Sequence, residues 1–436
     1  MKHSPLRTRF HTPGAMLAAM LVAACATAPE PPRTQPPAPV ESRLPGGVLP
    51  PAAGAPAGST LPVPPSTPVA PGAFMQPLPV PGLPSAPPAA AVGPQGQALV
   101  QRLLPPGVTR DRAGWAADIA DAIGALRLTP SAENYCAAIA VIEQESTFQA
   151  DPAVPGLSKI VWREIETRRA KYMIPKVALD AALSKPSPTG RTYKQRIDAL
   201  RTEREMSELF GDMIDELPGG KLLLSGYNPV RTGGPMQVSV AFAEEHARTR
   251  PYALPVKGTL RDAVFTRRGG VYFGIAHLLD YPAPYRDPLY RFADFNAGHY
   301  SSRNAAFQQA VAQLSGRKLV LDGDLLSYVN GVPSAATSST QRAVFDLARR
   351  LGLSRDEIQA GLRQEKDESF YRSKVYQRVF ALADAAAGRP VAREAMPRID
   401  LKSPKIRSKI TTAWFAERVK MRYGHCMGRA AVARSL

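Results

Sequence analysis

CAAIAVIEQESTFQAD, residues 136–151, is the stretch on which the fold and the candidate chemistry depend. Its apolar residues recur at spacings near three and four, which predicts a helix with one apolar face. Glu145 stands near the end of that helix. A carboxyl group that faces inward there loses hydration, and its pKa rises toward values that suit a general acid. From this stretch alone, a solvated surface glutamate remains the alternative.

Glu143 is the other acid at the end of this helix. It precedes Glu145 by two residues, about 200° around a helix, so the two side chains cannot lie on one face. Only one of them is therefore expected to face a given cleft.

Helical patterns dominate on both sides of this stretch. Thr129 and Pro130 resemble an N-cap and a first-turn proline, and Ser354 with Glu357 resembles a capping box. A basic segment, Thr192–Met213, is predicted as one helical stretch. No long set of alternating strands follows, so the fold class is mainly α. One further apolar stripe is predicted from Trp115, Ile119, Ala122, Ile123 and Leu126.

Two later segments complete a three-part pattern with the first. They are Gly233-Gly234-Pro235-Met236-Gln237 and Phe295-Asn296-Ala297-Gly298. The order Glu-Ser-x-Phe, Gly-x-Met-Gln, Phe-Asn-Ala-Gly resembles that of the lytic transglycosylases, in the goose-lysozyme-like branch of the lysozyme superfamily. A glycine turn followed by a helix start is the simpler interpretation of the second segment, with the apolar residues after it pointing inward.

The resemblance implies a lysozyme-like helical core with additions. It covers two blocks, about 129–157 and 231–310, and the catalytic domain would span 97–436. Between the blocks lies a long insertion at about 158–230, and a C-terminal helical region follows at about 320–436. Typical relatives have only a short loop where this chain has the insertion.

The resemblance also implies an activity, membrane-anchored cleavage of peptidoglycan glycan strands by one acid. Glu145, chosen because Ser146 follows it, would protonate the bond between N-acetylmuramic acid and N-acetylglucosamine. It would then remove a proton from the muramic C6 hydroxyl, which attacks C1 and leaves a 1,6-anhydro end. Neither a second carboxylate nor a cofactor or metal is needed. The implied substrate-binding residues are Ser146, Gly234, Met236, Gln237, Phe295, Asn296 and Gly298.

Phe295 departs from the family pattern, which has a tyrosine there. The missing hydroxyl could come from Tyr281, Tyr285, Tyr290 or Tyr300. Two other functions remain open, a scaffold that binds peptidoglycan without cutting it and a muramidase that uses water. For the muramidase, Asp262, Asp287 and Asp294 are equivalent candidates for the base.

The N-terminus predicts export and lipidation. A basic start and a short apolar run end at Cys25, which describes a lipoprotein signal peptide over residues 1–24. Leu21-Val22-Ala23-Ala24-Cys25 resembles a lipobox, and an ordinary signal peptide with an incidental cysteine is the alternative. Lipidation would anchor the chain in a membrane. Ala26 after the cysteine favours a periplasm-facing protein of the outer membrane over one of the inner membrane.

A proline- and alanine-rich linker is predicted over residues 25–96. From Ala26 to Gly96 the sequence has almost no charge and holds half of the chain's 44 prolines. Such a composition breaks helices and stays extended. We interpret it as a tether, with a docking site for a proline-binding partner as the alternative.

Cys136 and Cys426 are the two cysteines left if Cys25 is acylated. In an oxidising compartment they are expected to form a disulfide, and two separate buried thiols are the alternative.

The net charge of +18 does not by itself indicate a nucleic-acid partner. No basic stripe is interleaved with aromatic residues, and export argues against such a partner. The excess could attract anionic peptidoglycan or lipid headgroups, or have no specific partner. His246, His277, His299 and His425 are scattered in the sequence and give metal catalysis little support.

Overall fold

The structure is a computed structural model, and the residues it describes are 94–216, 228–250, 252, 258–329, 331–401 and 410–434. The predicted signal peptide, Cys25 and nearly all of the predicted linker lie outside these residues. Within them the chain is mainly helical, as the sequence predicts.

Helices provide the architecture, and three short hairpins connect some of them. In chain order the helices are α1 (Pro94–Leu103), α2 (Arg112–Ala125), α3 (Ala132–Glu145), α4 (Leu157–Lys171), α5 (Lys176–Leu183), α6 (Tyr193–Asp198), α7 (Glu203–Asp215), α8 (Val240–Thr249), α9 (Leu260–Val264), α10 (Arg267–Leu279), α11 (Pro288–Ala297), α12 (Ser301–Ser315), α13 (Ser339–Asp346), α14 (Ala348–Leu351), α15 (Arg355–Leu362), a 3₁₀ helix (Glu368–Arg372), α16 (Lys374–Ala387) and α17 (Thr412–Arg434). The antiparallel strand pairs are β1 (Thr232–Gly233) with β2 (Val238–Ser239), β3 (Tyr328–Val329) with β4 (Val332–Pro333), and β5 (Asp400–Leu401) with β6 (Ile410–Thr411).

A central core contains the candidate site. It is formed by apolar side chains of α1, α2, α3, α8, α10, α11 and α17, and the hairpin β1–β2 adds Met236 and Val238 to it. The predicted stripe on α2 is confirmed, since all five of its residues are buried in this core. Burial of this apolar surface is the main free-energy source that holds the helices together.

The inserted segment between α3 and the first hairpin has a small core of its own. Apolar residues of α4, α5, α6 and α7 form this core, which includes Ile165, Tyr193 and Phe210. The predicted single stretch Thr192–Met213 is wrong in detail, because the chain breaks after Asp198 and starts again with Thr202 as an N-cap. Both α6 and α7 begin with a capping box, which fixes the break.

A third core is formed by α12 to α16. Phe307, Phe370 and Phe380 pack together in it. The predicted capping box of Ser354 with Glu357 is confirmed at the start of α15. The last helix, α17, does not belong to this core and instead packs against α3 and α11 in the central one.

The disulfide between Cys136 and Cys426 is present, as predicted. It joins α3 to α17 with 5.4 Å between the Cα atoms, and both cysteines are buried. The predicted N-cap of α3 is wrong by two residues. Ser131 is the N-cap, and its hydroxyl accepts a hydrogen bond from the backbone N–H of Asn134.

No helix among the described residues combines the length and the apolar composition needed to cross a membrane.

Candidate functional site

Glu145 is the last residue of α3, and the chain turns sharply after it. Ser146 ends the helix, and its hydroxyl donates to the carbonyl of Ile142 at 3.0 Å. Thr147 and Phe148 both have positive φ angles, 51° and 59°, which non-glycine residues rarely adopt. The Phe148 ring packs edge-on against Trp115, with 5.2 Å between centroids. The turn is therefore held in place by the core, and such strain is most often found at functional sites.

After this turn the chain pairs with the start of α7. The backbone N–H of Val154 donates to the carbonyl of Arg201 at 2.8 Å, and Ala153 forms an isolated bridge with Thr202. Asp151 and Arg204 form an ion pair with a distance of 2.9 Å. These contacts fix the first turn of α7 close to the end of α3.

Glu203 is brought to the site by this pairing. It is the first residue of α7 and is only 8% exposed. Met206, one turn later, packs against both the central core and the core of the insertion. Ser207, on the same face, accepts a hydrogen bond from the Asn228 side chain at 3.3 Å. This face of α7 is thus directed at the central core, and it carries a carboxylate.

The pKa of Glu145 is raised from 4.5 to about 7. Burial is the larger cause, because it disfavours the charged form, and the negative charge of Glu203 adds to it. The side chain retains partial solvent exposure. Among the described residues no hydrogen bond is made to the carboxyl group of Glu145. A protonated, accessible acid of this kind can donate a proton near neutral pH.

Glu143 faces elsewhere, as the helix geometry requires. Its carboxylate lies 3.8 Å from the guanidinium of Arg422 on α17. The side chains of the two acids at the end of α3 therefore point in different directions.

The glycine-rich segment forms the β1–β2 hairpin and packs closely on α10. A Cβ on Gly274 would lie 2.4 Å from the Met236 sulfur, and one on Gly270 would lie 2.6 Å from Cδ of Pro235. Met236 is fully buried as a result. Gly234 has a φ of 71°, and a Cβ there would lie 2.2 Å from a backbone oxygen. The glycines are thus needed for close approach. Helix α8 begins directly after the hairpin, as in the simpler interpretation.

Gln237 lies at the exposed side of this hairpin. Its φ is 50°, and its side-chain amide donates to the carbonyl of Gly234 at 3.3 Å. The side chain is partly exposed. It retains hydrogen-bonding capacity for a ligand, although no contact in the described part of the chain joins it to Glu145.

The Phe-Asn-Ala-Gly segment ends α11. The ring of Phe295 packs against His277 at 5.2 Å and stacks on Phe415 at 6.3 Å. Asn296 accepts a hydrogen bond from the Thr412 hydroxyl at 2.8 Å. Gly298 ends the helix with a φ of 103°. Asn296 is therefore engaged by the first residue of α17, and no described contact brings it to Glu145.

Asp294, just before this segment, is fully buried and has a structural role. Its carboxylate accepts hydrogen bonds from the Tyr285 and Tyr281 hydroxyls at 2.7 and 3.1 Å. It also accepts bonds from the backbone N–H groups of Tyr300 and Ser302 at 3.0 and 2.6 Å. The hydroxyls of Tyr281 and Tyr285 are thus committed to Asp294 and do not replace the hydroxyl missing at Phe295.

The other two candidate bases are also engaged in local structure. Asp262 is part of the capping box of α9. Asp287 caps α11 and forms an ion pair with Lys420 at 2.5 Å. Each of the three aspartates therefore has a structural partner, and the acid whose negative charge helps to raise the pKa of Glu145 is Glu203.

Three histidines that are far apart in sequence meet around Phe242. Its ring lies 5.7 Å from His246, 4.6 Å from His277 and 5.7 Å from His299. His277 donates through Nε2 to the carbonyl of Phe295 at 3.2 Å, and His299 donates to the carbonyl of His277 at 2.7 Å. Despite this proximity, the described residues contain no group of three or more His, Cys, Asp or Glu side chains placed to hold a metal ion.

Glu203 is the site residue that sequence reasoning missed. It belongs to the insertion, which has no counterpart in the resemblance, and 58 residues separate it from Glu145. The capping box at Thr202 marks a helix start and was the only local pattern near it. Nothing in the sequence indicated which face of α7 points to the core.

Comparisons with known proteins identify a family and a relative. Residues 108–429 match the family described as "Protein of unknown function (DUF1615)". The chain is 49% identical over 330 residues to "Uncharacterized protein YaiW" of Escherichia coli (strain K12), covering 76% of this chain and 89% of the relative. No solved structure matches the chain.

Proposed function

The chain belongs to the family described as "Protein of unknown function (DUF1615)". From the geometry of its candidate site, we propose that it is a peptidoglycan lytic transglycosylase in which Glu145 is both the acid and the base. The observation that supports this most strongly is the raised pKa of the Glu145 carboxyl group at the end of α3. Burial raises its pKa to about 7, so the carboxyl is half protonated near neutral pH and can both give and take a proton.

The placement of the other two sequence segments supports the same proposal. The hairpin with Met236 and Gln237 packs on α10, and α10 also packs against α3. His277 of α10 holds the backbone of Phe295. All three segments thus converge on one helix, in the chain order of the lytic transglycosylases. A lysozyme-like core built from α1–α3, α8–α11 and α17 is part of this proposal.

In the proposed reaction Glu145 protonates the glycosidic oxygen between N-acetylmuramic acid and N-acetylglucosamine. The bond from this oxygen to C1 of the muramic residue breaks, and the N-acetylglucosamine leaves with a hydroxyl. The Glu145 carboxylate then accepts the proton of the muramic C6 hydroxyl, whose oxygen forms the new bond to C1. The product ends in 1,6-anhydro-N-acetylmuramic acid, and no water is consumed.

A scaffold that grips glycan strands without cutting them is the second candidate. It is favoured by the engagement of Asn296 with Thr412 and by the packing of Phe295 between His277 and Phe415. Both residues contact protein partners. Such a scaffold would bind sacculi equally well with Glu145 or with glutamine at that position.

Digestion of purified sacculi distinguishes these functions. We expect the chain without its predicted signal peptide to release fragments with anhydro ends, and we expect its Glu145→Gln variant to release none. Glu143→Gln changes the other acid near the end of α3 and should behave like the wild type. Fragments with reducing ends would point to the muramidase. Binding without release by any variant would favour the scaffold.

The proposal includes a location. Cys25 would carry the lipid anchor of a periplasm-facing protein, in the outer membrane because Ala26 follows it, with peptidoglycan as its partner. The Cys136–Cys426 disulfide supports export, since such bonds persist in oxidising compartments. Mass analysis of the N-terminal peptide from purified membranes tests it, because an unmodified Cys25 would contradict lipidation.

A further inference from the structure

The connection between α4 and α5, in the insertion, exposes three large apolar side chains within six residues. Among the described residues, Met173 and Val177 are the two most exposed large apolar side chains, at 88% and 76%. Tyr172 beside them is 54% exposed. Single exposed apolar residues are common, whereas several together mark a site of interaction. Residues 171–177, the α4–α5 tip, are therefore a candidate docking surface.

Met173 stands at a position that favours glycine. Helix α4 ends in a Schellman motif, in which the residue after the C-cap has a left-handed backbone. The backbone N–H of Ile174 donates to the carbonyl of Arg169 at 3.0 Å, and that of Met173 donates to the carbonyl of Ala170 at 3.2 Å. Met173 accordingly has a φ of 53°. Neither backbone preference nor burial favours methionine here, which points to a role other than stability.

The backbone of the tip is held in one conformation by the rest of the insertion. The side chain of Arg169 donates to the carbonyl of Ile174 at 3.1 Å and to the carboxylate of Glu166 at 2.7 Å. Ile174 packs on the core of the insertion. The carbonyl of Pro175 accepts a bond from the backbone N–H of Ala178 at 3.1 Å. The exposed side chains are thus presented on an ordered backbone, which lowers the entropy cost of binding.

Basic residues flank the exposed apolar side chains. From residue 167 to 179 the sequence has four basic residues and no acidic one. The two arginines pair with acids of α4, whereas Lys171 and Lys176 are exposed and form no ion pair with another residue that the structure describes. The first acid after them is Asp180. Apolar side chains flanked by lysines match a lipid surface with anionic headgroups.

We propose that the α4–α5 tip docks on the surface of a membrane that contains anionic lipids. Tyr172, Met173 and Val177 enter the boundary between headgroups and acyl chains. Lys171 and Lys176 contact the lipid phosphates. A stretch of seven residues is small for a stable protein–protein interface, which takes about 20–30 residues on each side. The inference depends neither on glycan cleavage nor on a lipid at Cys25, and it gives the insertion a role.

Vesicle flotation tests this docking. The background protein is the oxidised chain without its predicted signal peptide, with Cys25→Ser so that no lipid anchor contributes. We expect it to bind vesicles of phosphatidylethanolamine with phosphatidylglycerol, and Met173→Asn to lower the partition coefficient roughly tenfold, because one large apolar side chain no longer leaves water. Asparagine tolerates a positive φ, so urea unfolding should show no loss of stability. Failure of the background protein to bind, or equal binding by Met173→Asn, overturns the proposal.

Two matched controls separate the tip from general properties of the surface. Val332→Ser changes a valine of the β3–β4 hairpin that is 64% exposed and has no basic residue within five positions, so binding should be unchanged. Lys171→Glu should weaken binding more than Lys159→Glu, which makes the same change in charge at another exposed position of α4. An equal effect within either comparison means that apolar exposure or net charge alone drives binding, and it overturns docking through the tip.

A dye at the tip measures insertion directly. In the Cys25→Ser background, Met173→Cys supplies a single free thiol, since Cys136 and Cys426 form the disulfide. A label whose fluorescence rises in apolar surroundings should respond to the anionic vesicles at this position and not at Val332→Cys. Equal responses overturn the proposal. So does self-association in sedimentation velocity that Met173→Asn abolishes, because the tip would then bind a second copy of the chain.

Discussion

Cys136 of α3 and Cys426 of α17 are joined by a disulfide across 290 residues of sequence. Glu145 lies nine residues further along α3, about 14 Å away at 1.5 Å per residue. The bond therefore clamps the helix that carries the candidate acid to the last helix of the chain.

Loss of this bond is expected to destabilise the protein strongly. Closing so long a loop lowers the conformational entropy of the unfolded chain, which is worth about 6 kcal/mol in the loop-entropy estimate. We expect Cys426→Ser to lower the free energy of unfolding by about 2–5 kcal/mol in urea titrations. Reduction of the wild type should give a similar loss and leave the variant unaffected. Equal stability of the two proteins under oxidising conditions would contradict a structural role for the bond.

Glu145 is expected to reduce stability at alkaline pH. Its pKa is raised by burial from 4.5 to about 7. Stability that it contributes below pH 4.5 is therefore lost as the pH rises through 7. Glu145→Gln removes this ionisation and should raise the free energy of unfolding at pH 8 by about 2 kcal/mol, with a smaller gain at pH 5. Urea unfolding at both values measures the difference.

Glu143→Gln is the matched control for this prediction. Glu143 is on the same helix, and its carboxylate lies 3.8 Å from the guanidinium of Arg422. Its replacement therefore removes an ion pair and should not raise the free energy of unfolding at pH 8. If Glu145→Gln is no more stable than Glu143→Gln at pH 8, ionisation of Glu145 does not lower the free energy of unfolding, and its pKa is not raised by the fold.

The sequence was sufficient for features set by local pattern or by cysteine number. The stripe on α2 and the Ser354–Glu357 capping box follow from residue spacing. The disulfide follows from there being two candidate cysteines in a chain that the sequence predicts to be exported. The N-cap of α3 was misplaced because Thr129 and Ser131 both have suitable side chains, and the structure uses Ser131.

Relationships made by tertiary packing could not be predicted in the same way. The start of α7, with Glu203, is placed by a turn at two positive φ angles and a backbone pairing, neither of which has a sequence pattern. The contact of Met236 with Gly274 is set by how closely the hairpin approaches α10. Long-range geometry of this kind depends on the whole core and not on neighbouring residues.

Gly274→Ala is expected to displace the hairpin that carries Gln237. The added Cβ would lie 2.4 Å from the sulfur of Met236 and 2.5 Å from its Cβ, which requires movement in a closely packed core. We expect a loss of about 1–3 kcal/mol in urea unfolding, although alanine favours a helix by about 1 kcal/mol over glycine.

Gly211→Ala on α7 is the control for this substitution. No atom lies within 4 Å of a Cβ added there, so the better helix propensity should leave stability unchanged or raise it by up to about 1 kcal/mol. Equal stability of the two alanine variants would show that the hairpin moves freely away from α10.

The histidines around Phe242 are expected to make the protein sensitive to mild acid. Burial lowers the pKa of His277 from 6.5 to about 3 and that of His299 to about 4. Since the unfolded chain binds these protons near pH 6.5, stability should fall as the pH drops below that value and continue to fall toward pH 4. The loss between pH 7 and pH 5 is expected to be on the order of 2 kcal/mol for each of the two histidines.

His299→Gln separates this effect from general acid denaturation. A glutamine amide can still donate to the carbonyl of His277, the bond that His299 makes at 2.7 Å, but it does not titrate. The variant should therefore lose clearly less stability than the wild type between pH 7 and pH 5 in urea titrations. His425→Gln changes an exposed histidine of α17 and should follow the wild type. If all three proteins lose stability equally, burial of neutral imidazoles is not the cause of the acid sensitivity. The loss must then come from carboxylates such as Asp287, whose ion pair with Lys420 is lost when the carboxylate is protonated.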